Sequence, residues 1–260
     1  MSIKSFSLVA TAPCHKEADV LIWSIRNFYD EPILVMCDDT TADHLKSKGH
    51  EDVFFKRNAN EDDINQLDLS TVETKNGFHK KGPIYKKMEA LTWATKNFGN
   101  TMFIDSDLVF LDHINAEIKN DVMLSPHYHP ELRKSEMWKY GRYNAGYVYT
   151  AEETLGEVWQ EIYLTKSRFY EQEGMVFLHE HFDVGCFSKL HNIGYWRCKQ
   201  PTIPELEFDP QFVKSIHCHF DPGAYASANK GLTRAYDEWA LLWKRNLPQE
   251  YLEYIDHAIQ

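Results

Sequence analysis

The stretch Pro32–Asp39 reads PILVMCDD, an unbroken apolar run closed by two aspartates. A strand with one wet face alternates polar and apolar residues; an unbroken run is a strand buried on both faces. Helix-periodic segments flank it. KEADVLIWSIRNFY before it places Leu21, Ile25 and Phe28 at helical spacing, and TTADHLKSKG after it reads as a capped helix closed by Gly49. FSLVATA (Phe6–Ala12) and DVFF add a strand on each side. The order strand, helix, strand, helix, strand predicts an α/β fold with a mainly parallel sheet covered by helices.

Residues 56–82 are polar and irregular and end in NGFHKKG, the composition of a mobile loop. PIYKKMEALTWATKNF then reads as a helix, with Pro83 in its first turn, a stripe of Ile84, Met88, Leu91 and Phe98, and Gly99 as its stop. TMFIDSDLVFLD returns as a strand. Beyond it, DVMLS, YNAGYVYT and SIHCHF read as strands and AEETLGEVWQEIYLTKSRF as a helix. Helices around Arg234–Lys244 and Gln249–Ala258 close the chain. At 260 residues this fits one large domain or one domain with an elaborated end.

Charge narrows the partners. With 28 basic against 39 acidic residues the net charge is −11, which argues against nucleic acid, whose backbone needs a basic face. A small diphosphate in one cleft is still compatible, because a divalent cation held by carboxylates supplies the positive charge. Cys14, Cys37, Cys186, Cys198 and Cys218 form no CxxC pair, and reduced thiols in a cytoplasmic location are expected. No apolar run approaches the roughly 18 residues of a membrane span; association with a membrane surface stays open.

The chemistry centres on Asp105-Ser106-Asp107. Carboxylates inside an apolar run are costly unless paired, hydrogen-bonded or bound to a metal. Residues two apart on a strand point the same way, so Asp105 and Asp107 suit one hard cation, Mn²⁺ or Mg²⁺. Alone, such a triplet is equally a solvated strand-end turn. His217 and His219 share that spacing, and imidazole also suits Mn²⁺. His127/His129 and His179/His181 repeat the pattern, so at least two of the three pairs are incidental. Asn144-Ala145-Gly146 permits close approach of a ligand to backbone, or is simply a bulge. Lys80, Lys81, Lys86 and Lys87 meet phosphates or form a solvated face. Asp38 and Asp39 meet a ribose or base, or cap the next helix.

In order, these pieces resemble the GT-A fold nucleotide-sugar glycosyltransferases. The pattern is VATA, VMCDD, YKKMEAL, FIDSDLVFLD and then YNAGYVY, and the resemblance covers roughly residues 6–230. EQEGMVFL and IHCHFDPGAYASANKG are similar to the retaining glycogenin and lipopolysaccharide-galactosyltransferase branch, with Glu171 where that branch has Asp and with no KPW. The resemblance implies a single Rossmann-like GT-A domain with a mixed, mainly parallel central sheet flanked by helices, with its nucleotide-binding half over 1–112 and an acceptor-side half over 113–260 that carries the C-terminal helices. It implies a UDP-sugar donor and Mn²⁺ (or Mg²⁺). Asp105 and Asp107 then bind the metal with His217 or His219, and Asp105 also meets the ribose. Thr11, Ala12 and Asp38 or Asp39 hold the nucleotide. Lys86 or Lys87 sits near the phosphates or donor sugar, with Lys230 an unaligned stand-in for the missing lysine. Asn144, Ala145 and Gly146 line the donor-sugar pocket, and Glu171 and Gln172 lie near the reacting carbon. If the reaction inverts, Glu171, Glu180 and Asp183 are the candidate bases. The acceptor is a glycan, a lipid-linked sugar or a protein side chain.

Two alternatives share these residues. Apolar-DxD also opens haloacid-dehalogenase-like phosphohydrolases, with Asp105 as nucleophile, but there on the first strand. A non-catalytic nucleotide-sugar-binding protein would use the same cleft without turnover.

Overall fold

The structure is a computed structural model that describes residues 2–57, 83–127, 141–167, 171–188, 190–194, 212–224, 240, 243–244 and 247–260. Of the loop expected over 56–82, residues 58–82, with Lys80 and Lys81, lie outside them, as do His129, Lys230 and most of the Arg234–Lys244 helix, while 56 and 57 end a strand.

Strands β1 (Ser5–Ala10), β2 (Ile33–Cys37) and β3 (Val53–Arg57) alternate with helices α1 (His15–Arg26) and α2 (Asp39–Ser47). Every residue of β2 is buried, as its unbroken apolar run requires. Helix α3 (Pro83–Phe98) ends at Gly99, whose φ of +83° only glycine adopts freely, and leads into β4 (Thr101–Ile104). After β4 come β5 (Leu108–Phe110), β6 (Val122–Pro126), β7 (Tyr143–Thr150), helix α4 (Leu155–Thr165), a 3₁₀ segment Glu173–Glu180, β8 (Val184–Cys186), β9 (Ile193–Gly194), β10 (Ser215–His217) and helix α5 (Gln249–Ile259).

The main sheet has seven strands in the order β3-β2-β1-β4-β7-β6-β8. The first four are parallel; β7 is antiparallel to both β4 and β6, and β8 is parallel to β6. Both halves of the chain therefore contribute to one sheet. One face packs on α1 and α2 through Leu21, Ile25 and Leu45, the other on α3 and α4 through Leu91 and Trp159.

The DSD stretch departs from the single strand expected of it. β4 stops at Ile104 in the main sheet, and β5 belongs to a second sheet of order β5-β10-β9. The aspartates occupy the turn between the two sheets, so the apolar residues on either side stay buried while the carboxylates leave both cores.

Candidate metal centre and its surroundings

The C-terminal ends of β1, β2 and β4 share one edge of the sheet, where open α/β folds bind ligands. Asp105 leaves β4 there, its N–H donating to Gly146 O at 3.0 Å. β10 runs antiparallel to β5 with His217 opposite Leu108, and Cys218 N donates to Asp107 O at 2.9 Å. That pairing carries His217 to the turn from more than a hundred residues away. Its Nε2 lies 3.0 Å from Asp107 Oδ1.

Asp105, Asp107 and His217 each offer a ligand atom, all within 4.8 Å of one another. Two carboxylate oxygens and an imidazole nitrogen are a donor set for Mn²⁺. Gly146 adds a steric argument. A Cβ built there would lie 2.4 Å from Asp105 Oδ2 and 2.8 Å from His217 Cε1, so backbone closes on the cluster as only glycine allows. The residues fit a divalent cation.

His219 has a different task. The strand ends at His217, and His219 Nδ1 lies 3.2 Å from the carboxylate of the fully buried Glu17 and 3.5 Å from Asp107 Oδ2. Glu17 Oε1 also accepts from Phe220 N at 2.8 Å and Asp221 N at 3.2 Å. Burial alone would lower the His219 pKa, but Asp107 and Glu17 outweigh it and raise it to about 9. Burial pushes the Asp107 carboxyl up, and His217 and His219 outweigh that and hold it well below the usual carboxylate range. Glu17 was not singled out in the sequence, where it is one more charge in a helical first turn.

Lys87 Nζ bridges Asp105, at 2.8 Å, and Glu171 Oε1, at 3.0 Å. Burial works against its charge, but Asp105 and Glu171 together hold its pKa well above that of a free lysine. Lys86, one residue earlier, pairs instead with Glu89 at 2.7 Å. Glu171 is further fixed through its carbonyl, which accepts from Trp159 Nε1 at 3.1 Å. Gln172 follows it at the start of the 3₁₀ segment.

On the β1 side, Ala12 N donates to Asp38 Oδ2 at 2.7 Å and Thr41 N to Asp38 Oδ1 at 2.8 Å. Asp38 thus caps α2 and clamps the loop containing Thr11 and Ala12. Asp39 faces outward, paired with Arg57 at 2.7 Å. Cys14 packs beside the DxD turn and hydrogen-bonds with Ser106; burial first, then Glu17 and Asp107, push its thiol up to about 12, so it is not a thiolate at neutral pH.

Three expected site residues are placed elsewhere. Asp183 precedes β8, and the register Val184–Val122–Thr150–Thr101 puts it at the opposite edge of the sheet from Asp105, where it accepts from Asn120 Nδ2 at 3.0 Å. Glu180 is exposed and pairs with Lys166 at 2.8 Å. Ala145 is buried among Leu124, Val148 and Trp159, because the β6–β7 register jumps from Leu124–Val148 to Ser125–Asn144 and the intervening bulge turns it into the core. Of the other histidine pairs, His179 Nε2 bonds the Tyr143 hydroxyl at 2.7 Å and His181 is exposed.

With this geometry in view, solved structures give the architecture its name. The galactosyltransferase LgtC, in complex with donor and acceptor sugar analogues, matches over 96% of this chain and 99% of its own, with 13% identity and a TM-score of 0.55. The bifunctional glycosyltransferase WbbM matches 95% of this chain and 52% of its own, with 13% identity and a TM-score of 0.58. The fold is GT-A. No protein-family model matches the chain. No curated protein matches it by sequence.

Proposed function

We propose that this protein is a metal-dependent glycosyltransferase that moves a sugar from a UDP-sugar to an acceptor hydroxyl with retention of configuration, in the manner of the glycogenin and lipopolysaccharide-galactosyltransferase branch. The observation that carries the reading is the Asp105–Asp107–His217 donor set, packed against Gly146 at the C-terminal edge of a GT-A sheet. Nucleotide sugars break at the bond between the sugar and a diphosphate, and charge builds on the departing oxygen. A divalent cation there supplies Lewis-acid stabilisation of that charge.

The chain's own residues then divide the work. Asp105, Asp107 and His217 hold Mn²⁺ or Mg²⁺. Thr11 and Ala12, in the loop clamped by Asp38, meet the nucleotide. Lys87 holds Asp105 and Glu171 in fixed relation, and Glu171 and Gln172 face the reacting carbon. Retention by front-face attack requires no strong protein base, which agrees with Asp183 and Glu180 lying away from the cluster. The acceptor is a glycan, a lipid-linked sugar or a protein side chain. No helix among the described residues is long and apolar enough to cross a membrane.

The phosphohydrolase alternative draws no support from the fold, whose DxD strand follows three others and sits at the centre of the sheet. The test is a thermal-shift screen of nucleoside diphosphates with Mn²⁺, followed by detection of released UDP. The expected result is stabilisation by UDP only with metal, and its loss in Asp107→Ala. No stabilisation by any nucleoside diphosphate, or an unchanged Asp107→Ala, overturns the reading. Binding without sugar transfer or donor hydrolysis would favour a non-catalytic nucleotide-sugar-binding protein.

A further inference from the structure

A chain of hydrogen bonds behind His217 has a direction that can be read without assuming any proton. Gly146 N, a backbone donor, lies 2.9 Å from the side chain of Asn144, so the atom it meets must be the amide oxygen Oδ1. The same oxygen lies 2.9 Å from the Asn192 amide, so the Asn192 atom facing it must be Nδ2. Ser125 Oγ accepts from that Nδ2 as well, at 3.0 Å. The remaining atom of the Asn192 amide, Oδ1, is therefore the one 2.7 Å from His217 Nδ1. An amide oxygen only accepts, so His217 Nδ1 carries a proton. Amide orientations are ordinarily assigned by inference; here a main-chain N–H fixes both.

We propose that Asn192 is a positioning residue that keeps a proton on His217 Nδ1, so that Nε2, 3.0 Å from Asp107 Oδ1, is the ring nitrogen kept for the metal. The inference rests on the metal-site reading above and assigns the site a residue outside every motif considered in the sequence. Asn192 is fully buried and its backbone has φ +52°, a left-handed conformation that asparagine tolerates better than most residues. Its own N–H donates to Ser215 Oγ at 2.8 Å, two residues before His217, so backbone and side chain both hold β10. Metal-bound histidines commonly donate their second ring N–H to such a partner, which fixes ring orientation and ligand basicity. The proposal also gives Asn144 a task besides lining a sugar pocket: it relays the fixed polarity of the Gly146 N–H to the histidine.

Two measurements on the full chain test this. In metal-free wild-type protein, ¹⁵N NMR of the ring nitrogens, assigned by the signal lost in His217→Gln, should show the proton on Nδ1. A neutral ring protonated on Nε2 with Nδ1 bare overturns the proposal, and this arm needs no Asn192 variant to fold. In the second, Mn²⁺ binding is followed by electron paramagnetic resonance without nucleotide. Asn192→Gly, which tolerates the backbone conformation, should bind about 10–100-fold more weakly. Equal Mn²⁺ affinity in wild type and Asn192→Gly overturns the proposal and leaves the metal site standing. If wild type binds no Mn²⁺ yet carries the Nδ1 proton, the metal reading fails and the tautomer assignment holds.

Discussion

At the scale of single residues, the cluster is held together by contacts that leave no room for substitution. Gly146→Ala places a methyl group 2.4 Å from Asp105 Oδ2 and 2.8 Å from His217 Cε1, and both side chains are tied to other partners. Overpacking of this kind costs about 1–3 kcal/mol. We expect a modest fall in the urea midpoint and a much larger loss of Mn²⁺ binding; a variant that binds Mn²⁺ like wild type would show that Asp105 and His217 need not approach each other. Lys87 offers the opposite experiment. Lys87→Met leaves two carboxylates facing each other with no cation between them. Breaking a fully buried pair costs roughly 3–5 kcal/mol, and with Asp105 21% exposed about 2 kcal/mol is expected here. Adding Glu171→Gln removes one of the stranded charges, so the double variant should be more stable than Lys87→Met alone. Denaturant titration of the three proteins decides it, and additive losses would mean that Lys87 and Glu171 are not coupled.

Elements explain which parts of the site were legible in the sequence. The run PILVMCDD announces a buried strand and its end, and TMFI–DSD–LVF announces carboxylates expelled from a core. Both come from hydrophobic patterning, which is local. What was not legible is whatever depends on the partner element. His217 and His219 are symmetric in the sequence; the antiparallel register with β5 gives one to the turn, and a buried glutamate from α1 takes the other. Asp183 lies close to Glu171 in the chain, but β8 runs parallel to β6 and starts from the far edge. Ala145 sits inside a three-residue motif, yet a bulge points it inward. Asp38 shows the same limit from the other side, since its carboxylate caps α2 and holds the Ala12 N–H at once. Asp38→Ala should cost about 1–2 kcal/mol, the usual worth of a strong N-cap. If the clamp positions the β1–α1 loop for a nucleotide, UDP affinity in the presence of Mn²⁺ should fall further than Thr41→Ala, which leaves the cap intact, makes it fall. Equal UDP affinity in both variants would confine Asp38 to stability.

Across the whole molecule, a buried carboxylate on α1 is one of the groups that hold the C-terminal helix α5. Asp19, on α1 with no side-chain exposure, receives His50 Nε2 at 2.6 Å, the Tyr254 hydroxyl at 3.0 Å and Lys48 Nζ at 3.3 Å. His44 lies 3.9 Å away, and Trp23 stacks on Tyr254 at 4.2 Å. Burial raises the Asp19 pKa, but His50, Lys48 and Tyr254 outweigh it and hold the group below its ordinary value. A depressed carboxylate contributes stability that is present above its unfolded pKa, about 3.9, and is lost as pH falls through the lower folded value. The contribution is therefore complete at pH 7 and disappears only below about pH 4. Asp19→Asn should be less stable than wild type from pH 5 to 7, and the gap should narrow as the pH is taken below 4. Urea titrations at pH 7, 5, 4 and 3, read by Trp fluorescence, measure this directly. Parallel curves with a constant gap would mean that Asp19 acts through shape rather than charge. Hydrogen exchange over Tyr251–Ala258 then separates release of α5 from global unfolding: protection lost in Asp19→Asn only along that helix would place the clamp at the junction between α5 and α1.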